Sequence, residues 1–224
     1  MIITIDGPAG TGKSTAARAV AERLGFDFLD TGAMYRAVGF AALRRNADMN
    51  DARELGYVAG LCKIEFDWTV YPPGVILNGE RVDHRLRGAE PTSAASHVAK
   101  VPAVRELMVE QQRRIGLSRP NLVTEGRDQG SVVFPDAELK FYLDAAPEVR
   151  ADRRTKELRA RGENPDYHEI LRQIKERDYR DSHREVGPLT VPKGAELLDT
   201  NGLTIEEVVT RIIGRARSLM EAKP

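Results

Sequence analysis

A glycine-rich loop between a strand and a helix constrains the fold of this chain more than any other feature. Residues 7–14 are GPAGTGKS and fit the pattern G-x-x-x-x-G-K-[S/T]. The apolar run Ile2–Ile5 predicts a buried strand before the loop, and the spacing of apolar residues over Ser14–Leu24 predicts a helix after it. Glycines let backbone N–H groups turn inward around a phosphate, and the helix directs the positive end of its dipole at the anion. The loop therefore predicts an α/β fold with a phosphate-binding site.

The loop itself predicts a nucleotide site. Its lysine can reach the outer phosphates of ATP, and its serine hydroxyl can be a ligand of Mg²⁺. The predicted ATP-binding residues are Gly7, Pro8, Ala9, Gly10, Thr11, Gly12, Lys13, Ser14 and Thr15, with Ser14 as the metal ligand. GTPases, motor ATPases and small-molecule kinases share this loop. The sequence has no Asp-x-x-Gly at the end of a long apolar run and no Asn-Lys-x-Asp, and no Asp-Glu pair closes a strand. These absences favour a kinase with a small acceptor.

Composition excludes several other classes of protein. Lys and Arg together number 34, and so do Asp and Glu, which disfavours nucleic acid as a partner of the whole chain. One cysteine cannot form an intrachain disulfide, so we expect a reducing, cytoplasmic location. No apolar stretch approaches the roughly 18 residues of a membrane span, and the N-terminus lacks a signal-peptide pattern. The four histidines have no metal-ligand spacing. We expect no membrane partner, and a small neutral chain of this kind to be a monomer.

The order of elements predicts one α/β core with two appendages. Strands alternate with helices, which is typical of a parallel sheet covered on both faces. Residues 64–82 break this alternation with strand-like segments and an Asn78-Gly79 turn signal, so they predict a small antiparallel insertion. The helical segment 92–115 should bend or break near Pro102. Residues 147–161 and 166–184 predict two heavily charged helices.

Three charged clusters are candidates for an acceptor site, because ligands bind at the carboxyl ends of strands in open α/β sheets. The first is 30–36, where Thr31 or Asp30 could instead be a helix cap. The second is 125–130, which could be a turn held by its own aspartate. The third is 175–184, where helical spacing also suits a surface salt-bridge ladder.

The chain resembles bacterial cytidylate kinases, a family of nucleoside-monophosphate kinases. Five segments carry the resemblance in the same order along the chain, and they are 7–15, 29–36, 92–96, 125–135 and 174–181. The resemblance implies a P-loop NTPase fold with a central five-stranded parallel sheet, helices on both faces, a three-stranded antiparallel insertion and a helical lid. The regions it implies are a core with the phosphate loop at 1–35, a monophosphate-binding region at 36–100, core at 101–150, the lid and its flanking helices at 151–187, and core at 188–224.

The resemblance also implies roles for single residues. Ser96, Arg105 and Asp128 are similar to the residues that recognise the cytosine base. The implied contacts to the acceptor phosphate and sugar come from Thr31, Tyr35, Arg36, Arg127, Arg177 and Asp181. The implied catalytic residues are Lys13, Arg127, Arg177 and Arg184. The family often has serine in place of Thr31 and methionine in place of Gln129.

The implied reaction is Mg²⁺-dependent transfer of the γ-phosphoryl of ATP to CMP or dCMP. The acceptor is a phosphate oxygen that is mostly ionised at neutral pH, so no strong general base is needed. Positioning and charge stabilisation supply the catalysis, and closure of the two appendages excludes water. Two alternatives stay open from the residues alone. One is another P-loop kinase with a UMP, AMP or shikimate-like acceptor, and the other is a non-catalytic nucleotide-binding module.

Overall fold

The structure is a computed structural model that describes residues 1–222. Within these residues there are eight strands and eight α-helices. The strands are β1 (Ile2–Asp6), β2 (Asp27–Asp30), β3 (Ile64–Asp67), β4 (Gly74–Leu77), β5 (Glu80–Arg81), β6 (Leu122–Gly126), β7 (Leu139–Asp144) and β8 (Glu196–Asp199). The helices are α1 (Lys13–Leu24), α2 (Thr31–Arg44), α3 (Ala52–Gly60), α4 (Ala89–Val98), α5 (Pro102–Leu117), α6 (Pro147–Ala160), α7 (Tyr167–His183) and α8 (Ile205–Glu221).

The predicted fold class is confirmed. Five strands form a parallel sheet in the order β2-β6-β1-β7-β8, with helices on both faces. Three strands form a separate antiparallel sheet in the order β3-β4-β5. The chain divides into two compact units. The first contains residues 1–26 together with the chain from 123 onwards, and the second contains Asp27–Leu122. The predicted division into five regions by role is a different partition and stays a prediction, and the last two residues of its region 188–224 lie outside the described residues.

The first unit carries the phosphate loop. Its core is formed by fully buried side chains of β1, β7 and α8, among them Ile5, Phe141 and Ile212. The helix α8 begins with a capping box in which the Thr204 hydroxyl accepts from the N–H of Glu207 and the Glu207 carboxylate accepts from the N–H of Thr204. The charged pair α6 and α7 buries its own small apolar cluster. That cluster contains Ala151, Ile170 and Ile174. Burying these side chains explains how two such polar helices pack together.

The second unit contains the antiparallel sheet and four helices, among the residues described. Asn78 and Gly79 both adopt positive φ, at 50° and 84°, so the predicted tight turn is confirmed. The predicted strand 64–70 ends earlier, at Asp67, because the Asp67 carboxylate accepts from the N–H and hydroxyl of Thr69 and turns the chain. The predicted helix 92–115 is two helices, α4 and α5, and Pro102 begins the second.

Two further features of the described residues concern a buried thiol and the length and polarity of the helices. The thiol of Cys62 is buried and donates to the carbonyl oxygen of Val58 at 3.2 Å. Burial raises the pKa of this thiol to about 11. None of the helices in the described part of the chain is long and apolar enough to span a membrane.

Candidate active site

The phosphate loop connects β1 to α1, and its glycines occupy backbone positions that other residues resist. Gly7 has φ +142°, and a Cβ there would overlap the carbonyl oxygen of Leu143 on β7. Gly12 has φ +92° and is the N-cap of α1, with no side-chain cap of its own. A Cβ on Gly12 would come within 2.7 Å of the Ile205 side chain. The loop is therefore packed closely against neighbouring elements of the first unit and leaves the first N–H groups of α1 to an outside acceptor.

Lys13 is buried in this loop among other charges. Its side chain is 4% exposed, and Nζ donates to the carbonyl oxygen of Pro8 at 2.6 Å. Burial, followed by the positive charge of Arg127, lowers the pKa of Lys13 well below its ordinary value, and the carboxylate of Glu125 opposes this shift. Arg177 also lowers the pKa of Lys13. The side chains of Lys13, Arg127 and Arg177 thus lie close enough for their charges to interact, beside a loop whose backbone is suited to a phosphate.

Ser14 and Glu125 form the candidate metal position. The Ser14 hydroxyl donates to a carboxylate oxygen of Glu125 at 2.8 Å. Glu125 lies on β6 and is 5% exposed. A hydroxyl and a carboxylate in contact are hard oxygen donors, which suit Mg²⁺ when phosphate oxygens and water complete its coordination. Residues 1–222 contain no cluster of three or more His, Cys, Asp or Glu side chains that could hold a metal without such help.

Asp6, at the end of β1, anchors the segment that follows Asp128. The two oxygens of its carboxylate accept from the backbone N–H groups of Gln129 and Gly130, at 2.8 and 2.7 Å. Burial raises the pKa of Asp6 to about 7, although these two hydrogen bonds and Lys13 act in the opposite direction. The anchored segment is a single π-helical turn, Gln129–Val133. Asp6 therefore holds Asp128 at the end of β6.

A cluster of arginines surrounds Asp181 on α7. Arg127 Nε donates to Asp181 Oδ2 at 2.9 Å, and the nearest charged atoms of Arg177 and Arg184 lie 4.0 Å from the same carboxylate. Arg184 also lies 3.8 Å from the buried carboxylate of Asp128. Burial alone would raise the pKa of Asp181, but the charges of Arg127 and Arg177 hold it below its usual value. The third charged cluster is thus more than a surface ladder, because Asp181 pairs with Arg127 after β6 and Arg184 lies beside the buried Asp128.

The pKa values of Arg127 and Arg177 also reflect the charges around them. Burial opposes the charged form of Arg127, but the carboxylates of Asp181 and Glu125 raise its pKa above the ordinary value. Partial burial, and then the charge of Arg127, lower the pKa of Arg177 to about 10. Both groups stay protonated at neutral pH. Two positive charges, those of Arg127 and Arg177, therefore act on Lys13 and are opposed by the carboxylates of Glu125 and Asp6.

The second unit holds the remaining predicted acceptor residues. Asp30 is the N-cap of α2 and accepts from the N–H of Ala33 at 2.7 Å, so the cap is Asp30 and not Thr31. Arg36 donates to the other oxygen of Asp30 at 2.9 Å. The guanidinium of the buried Arg105 lies 5.6 Å from the ring centroid of Tyr35.

Ser96 is the last predicted acceptor residue of this unit. Its hydroxyl donates to the carbonyl oxygen of Thr92 one turn earlier on α4, at 3.2 Å. The second unit therefore brings Tyr35 and Arg105 together, and the first unit brings Lys13 together with the arginine cluster. The binding and catalytic roles of all these residues remain predictions.

Two acidic residues have roles at this site that the sequence did not indicate. Asp6 ends β1 and belonged to none of the candidate clusters, and Glu125, near the end of β6, was part of the 125–130 acceptor cluster but was not predicted to lie beside Ser14. Carboxylates at the ends of neighbouring strands were a usable signal for both. Gln129, which replaces a methionine common in the family, is buried and accepts from the Thr124 hydroxyl at 3.0 Å. The carbonyl end of the Gln129 side chain is thus directed at β6.

Comparisons with known proteins agree with these features. The family model for cytidylate kinase matches residues 3–218. A cytidylate kinase of Caldanaerobacter subterraneus is 46% identical over 210 residues, which cover 94% of this chain and 92% of the relative. A cytidylate kinase of Clostridioides difficile is 44% identical over 216 residues, which cover 96% of this chain and 97% of the relative.

A solved structure supports the fold alone. The shikimate kinase of Bacteroides thetaiotaomicron has a TM-score of 0.50 and 14% identity, with 97% of this chain and 98% of that chain covered. Such low identity says nothing about the acceptor, whereas the sequence relatives are similar over nearly their whole length. From the family match and these relatives, the chain belongs to the cytidylate kinase family.

Proposed function

We propose that this chain transfers the γ-phosphoryl of ATP to CMP or dCMP and releases ADP with CDP or dCDP. The observation that supports this most is the group of positive charges beside the phosphate loop, where Arg127 and Arg177 lower the pKa of Lys13 and Arg127 lowers the pKa of Arg177. The donor phosphate, the acceptor phosphate and the phosphoryl group that is transferred between them all carry negative charge, which such a cluster would neutralise. The shikimate-like alternative is not favoured, because its support is likeness of fold alone.

The residues of the loop would bind and orient the donor. Backbone N–H groups at the start of α1 would donate to the phosphates of ATP. The ammonium of Lys13 would give up its hydrogen bond to the carbonyl oxygen of Pro8 and donate to an outer phosphate instead. Ser14 and Glu125 would hold Mg²⁺, Ser14 as a direct ligand. When bound, Mg²⁺ supplies a positive charge that offsets charge on the phosphate oxygens.

The acceptor needs orientation rather than deprotonation. The second pKa of a phosphate monoester is about 6, so its oxygen is already a nucleophile at neutral pH. We infer that Arg127, Arg177 and Arg184 orient the acceptor phosphate and stabilise charge on the transferred group. The remaining residues proposed to contact the acceptor phosphate or sugar are Thr31, Tyr35, Arg36 and Asp181.

The choice of base is proposed to depend on Ser96, Arg105 and Asp128. Cytosine offers an amino group that a carboxylate can accept from, together with two acceptors for a guanidinium and a hydroxyl. Uracil has an oxygen in place of that amino group and would set a lone pair against Asp128. Since Asp128 is 4% exposed, water could not relieve this mismatch.

The test is a coupled assay of ADP formation with ATP, Mg²⁺ and each of CMP, dCMP, UMP, AMP and shikimate. We expect CMP and dCMP to be the best acceptors by kcat/KM, and turnover to stop when the metal is chelated. Preference for UMP, AMP or shikimate would reject the proposed acceptor. ATP binding with no turnover of any acceptor would support the non-catalytic alternative.

A monomeric state and a cytoplasmic location are further proposals. The buried lone thiol of Cys62 is compatible with a reducing compartment. Sedimentation at micromolar concentration tests the first proposal, and fractionation of the producing cell tests the second. A stable dimer or a secreted enzyme would contradict them.

A further inference from the structure

Arg150 connects separate segments around the phosphate loop. It lies in the first turn of α6 and is 2% exposed. Its Nε donates to the carbonyl oxygen of Ala145 at 2.9 Å, and its Nη1 donates to the carbonyl oxygen of Ala9 at 3.0 Å. Nη1 and Nη2 also donate to the two carboxylate oxygens of Asp178 on α7, at 3.0 and 2.5 Å. One buried guanidinium thus joins the phosphate loop, the start of α6 and the middle of α7.

The contact with Ala9 bears directly on the N–H groups of the loop. The carbonyl of Ala9 and the N–H of Gly10 belong to one planar peptide group, so holding the oxygen fixes the direction of the N–H. Gly10 has φ +84°, and a Cβ there would lie 3.2 Å from Cβ of Arg150. The loop therefore rests on the Arg150 side chain, and the geometry of its N–H groups depends on this support.

The contact with Asp178 bears on the charges that α7 presents. Asp178 directly follows Arg177 and lies three residues before Asp181. The helix is tied to the rest of its unit by Asp178 through Arg150 and by Asp181 through Arg127. The apolar cluster shared with α6 and the ion pair of Lys175 with Glu148 would keep α7 on α6. Loss of the Asp178 pair would nevertheless release from the phosphate loop the half of α7 that carries Arg177 and Asp181. The position of Arg177 relative to Lys13 would change with it.

We propose that Arg150 and Asp178 form a positioning pair that sets the phosphate loop and α7 at the spacing needed for phosphoryl transfer. This inference rests on the proposed function, since it assigns the pair to the same reaction. Neither residue needs to touch a substrate. Arg150 acts through the Gly10 N–H, and Asp178 acts through Arg177. A planar guanidinium is required, because a lysine ammonium cannot donate to Ala145, Ala9 and both oxygens of Asp178 together.

The kinetic signature of positioning differs from that of simple structural support. Misplacement of reacting groups by a fraction of an ångström lowers kcat without weakening ground-state binding in proportion. We expect Asp178→Asn to lower kcat at least about tenfold while KM for ATP and CMP changes less than about threefold. Arg150→Lys should lower kcat further. The double variant should be little worse than Arg150→Lys alone, because both changes break the same unit.

The experiment compares these three variants with Arg172→Gln, which removes an exposed guanidinium paired with Glu169 and Glu176 on the same helix. Circular dichroism and thermal melting establish that each variant is folded, and Asp178→Asn decides the question if Arg150→Lys does not fold. Folded Asp178→Asn with kcat within twofold of wild type would overturn the proposal, and so would an equal loss in Arg172→Gln. If the wild-type chain prefers another acceptor, the proposed function fails, and the same comparison of kcat is made with that acceptor.

Discussion

Replacement of Lys13 by methionine should stabilise the chain while abolishing its turnover. The ammonium is desolvated beside Arg127 and Arg177, and its pKa is lowered even though Glu125 and the bond to Pro8 favour the charged form. A lowered pKa means that the charged lysine is less stable in the folded chain than in water, so the charge opposes folding at neutral pH. Methionine fills a similar volume without that charge.

The magnitude follows from two opposing contributions. Replacing desolvated charge by apolar atoms of similar volume stabilises a protein by about 1 to 4 kcal/mol, and loss of the hydrogen bond to Pro8 costs about 1 kcal/mol. The expected net gain is about 1.5 kcal/mol, which raises Tm by about 3 to 6 °C in a chain of this length. The gain should shrink as pH rises from the lowered pKa of Lys13 towards 10.5, because the folded wild type then loses its proton before the unfolded chain does.

Thermal melting of ligand-free Lys13→Met and wild type measures this difference, and Lys156→Met on the exposed surface of α6 is the matched control. The coupled assay should show a loss of kcat of at least about a thousandfold in Lys13→Met and no such loss in Lys156→Met. Mg-ATP should raise the Tm of wild type more than that of Lys13→Met. A Tm for Lys13→Met more than about 3 °C below wild type would refute the reasoning, since it would mean that the buried charge supports the fold.

Three further outcomes follow from the geometry. Asp128→Asn should narrow the preference for CMP over UMP by about tenfold or more, measured as the ratio of kcat/KM values, and an unchanged ratio would remove Asp128 from base recognition. The pKa of Asp6 is raised to about 7 from 3.8, so its contribution to stability is present below pH 3.8 and is lost as pH rises through about 7. This loss amounts to about 4 kcal/mol, and denaturant titrations across that range should show it in wild type but not in Asp6→Asn. Gly7→Ala should lose more than about 3 kcal/mol of stability, because its Cβ would overlap the Leu143 carbonyl, and a normal urea midpoint would contradict that clash.

Local features of the fold could be predicted from the sequence because neighbouring residues determine them. The strand, glycine loop and helix of residues 2–24 depend on apolar spacing and on glycine's access to positive φ. The turn at Asn78-Gly79 and the helix break at Pro102 are equally local. Residue spacing could not decide between Asp30 and Thr31 as a cap, because both side chains offer an oxygen at the right place.

Long-range contacts at the site could not be predicted in this way. Ser14 and Glu125 are 111 residues apart, and Ala9 and Arg150 are 141 residues apart. Such pairs form only when strand order brings two loops together, and a buried arginine has the same sequence pattern as a solvated one. The charged residues 175–184 were predicted as a candidate acceptor site. Spacing alone could not distinguish such a site from an ordinary surface salt-bridge ladder, and the contact between Arg127 and Asp181 makes that distinction.

The buried thiol of Cys62 makes this chain convenient for site-specific labelling. It is the single cysteine of the sequence, and a thiol whose pKa is about 11 forms almost no thiolate at neutral pH. Maleimide and iodoacetamide reagents attack the thiolate, so native protein should stay unmodified by them. A cysteine introduced at an exposed position would then accept a fluorophore or spin label without prior removal of the natural one.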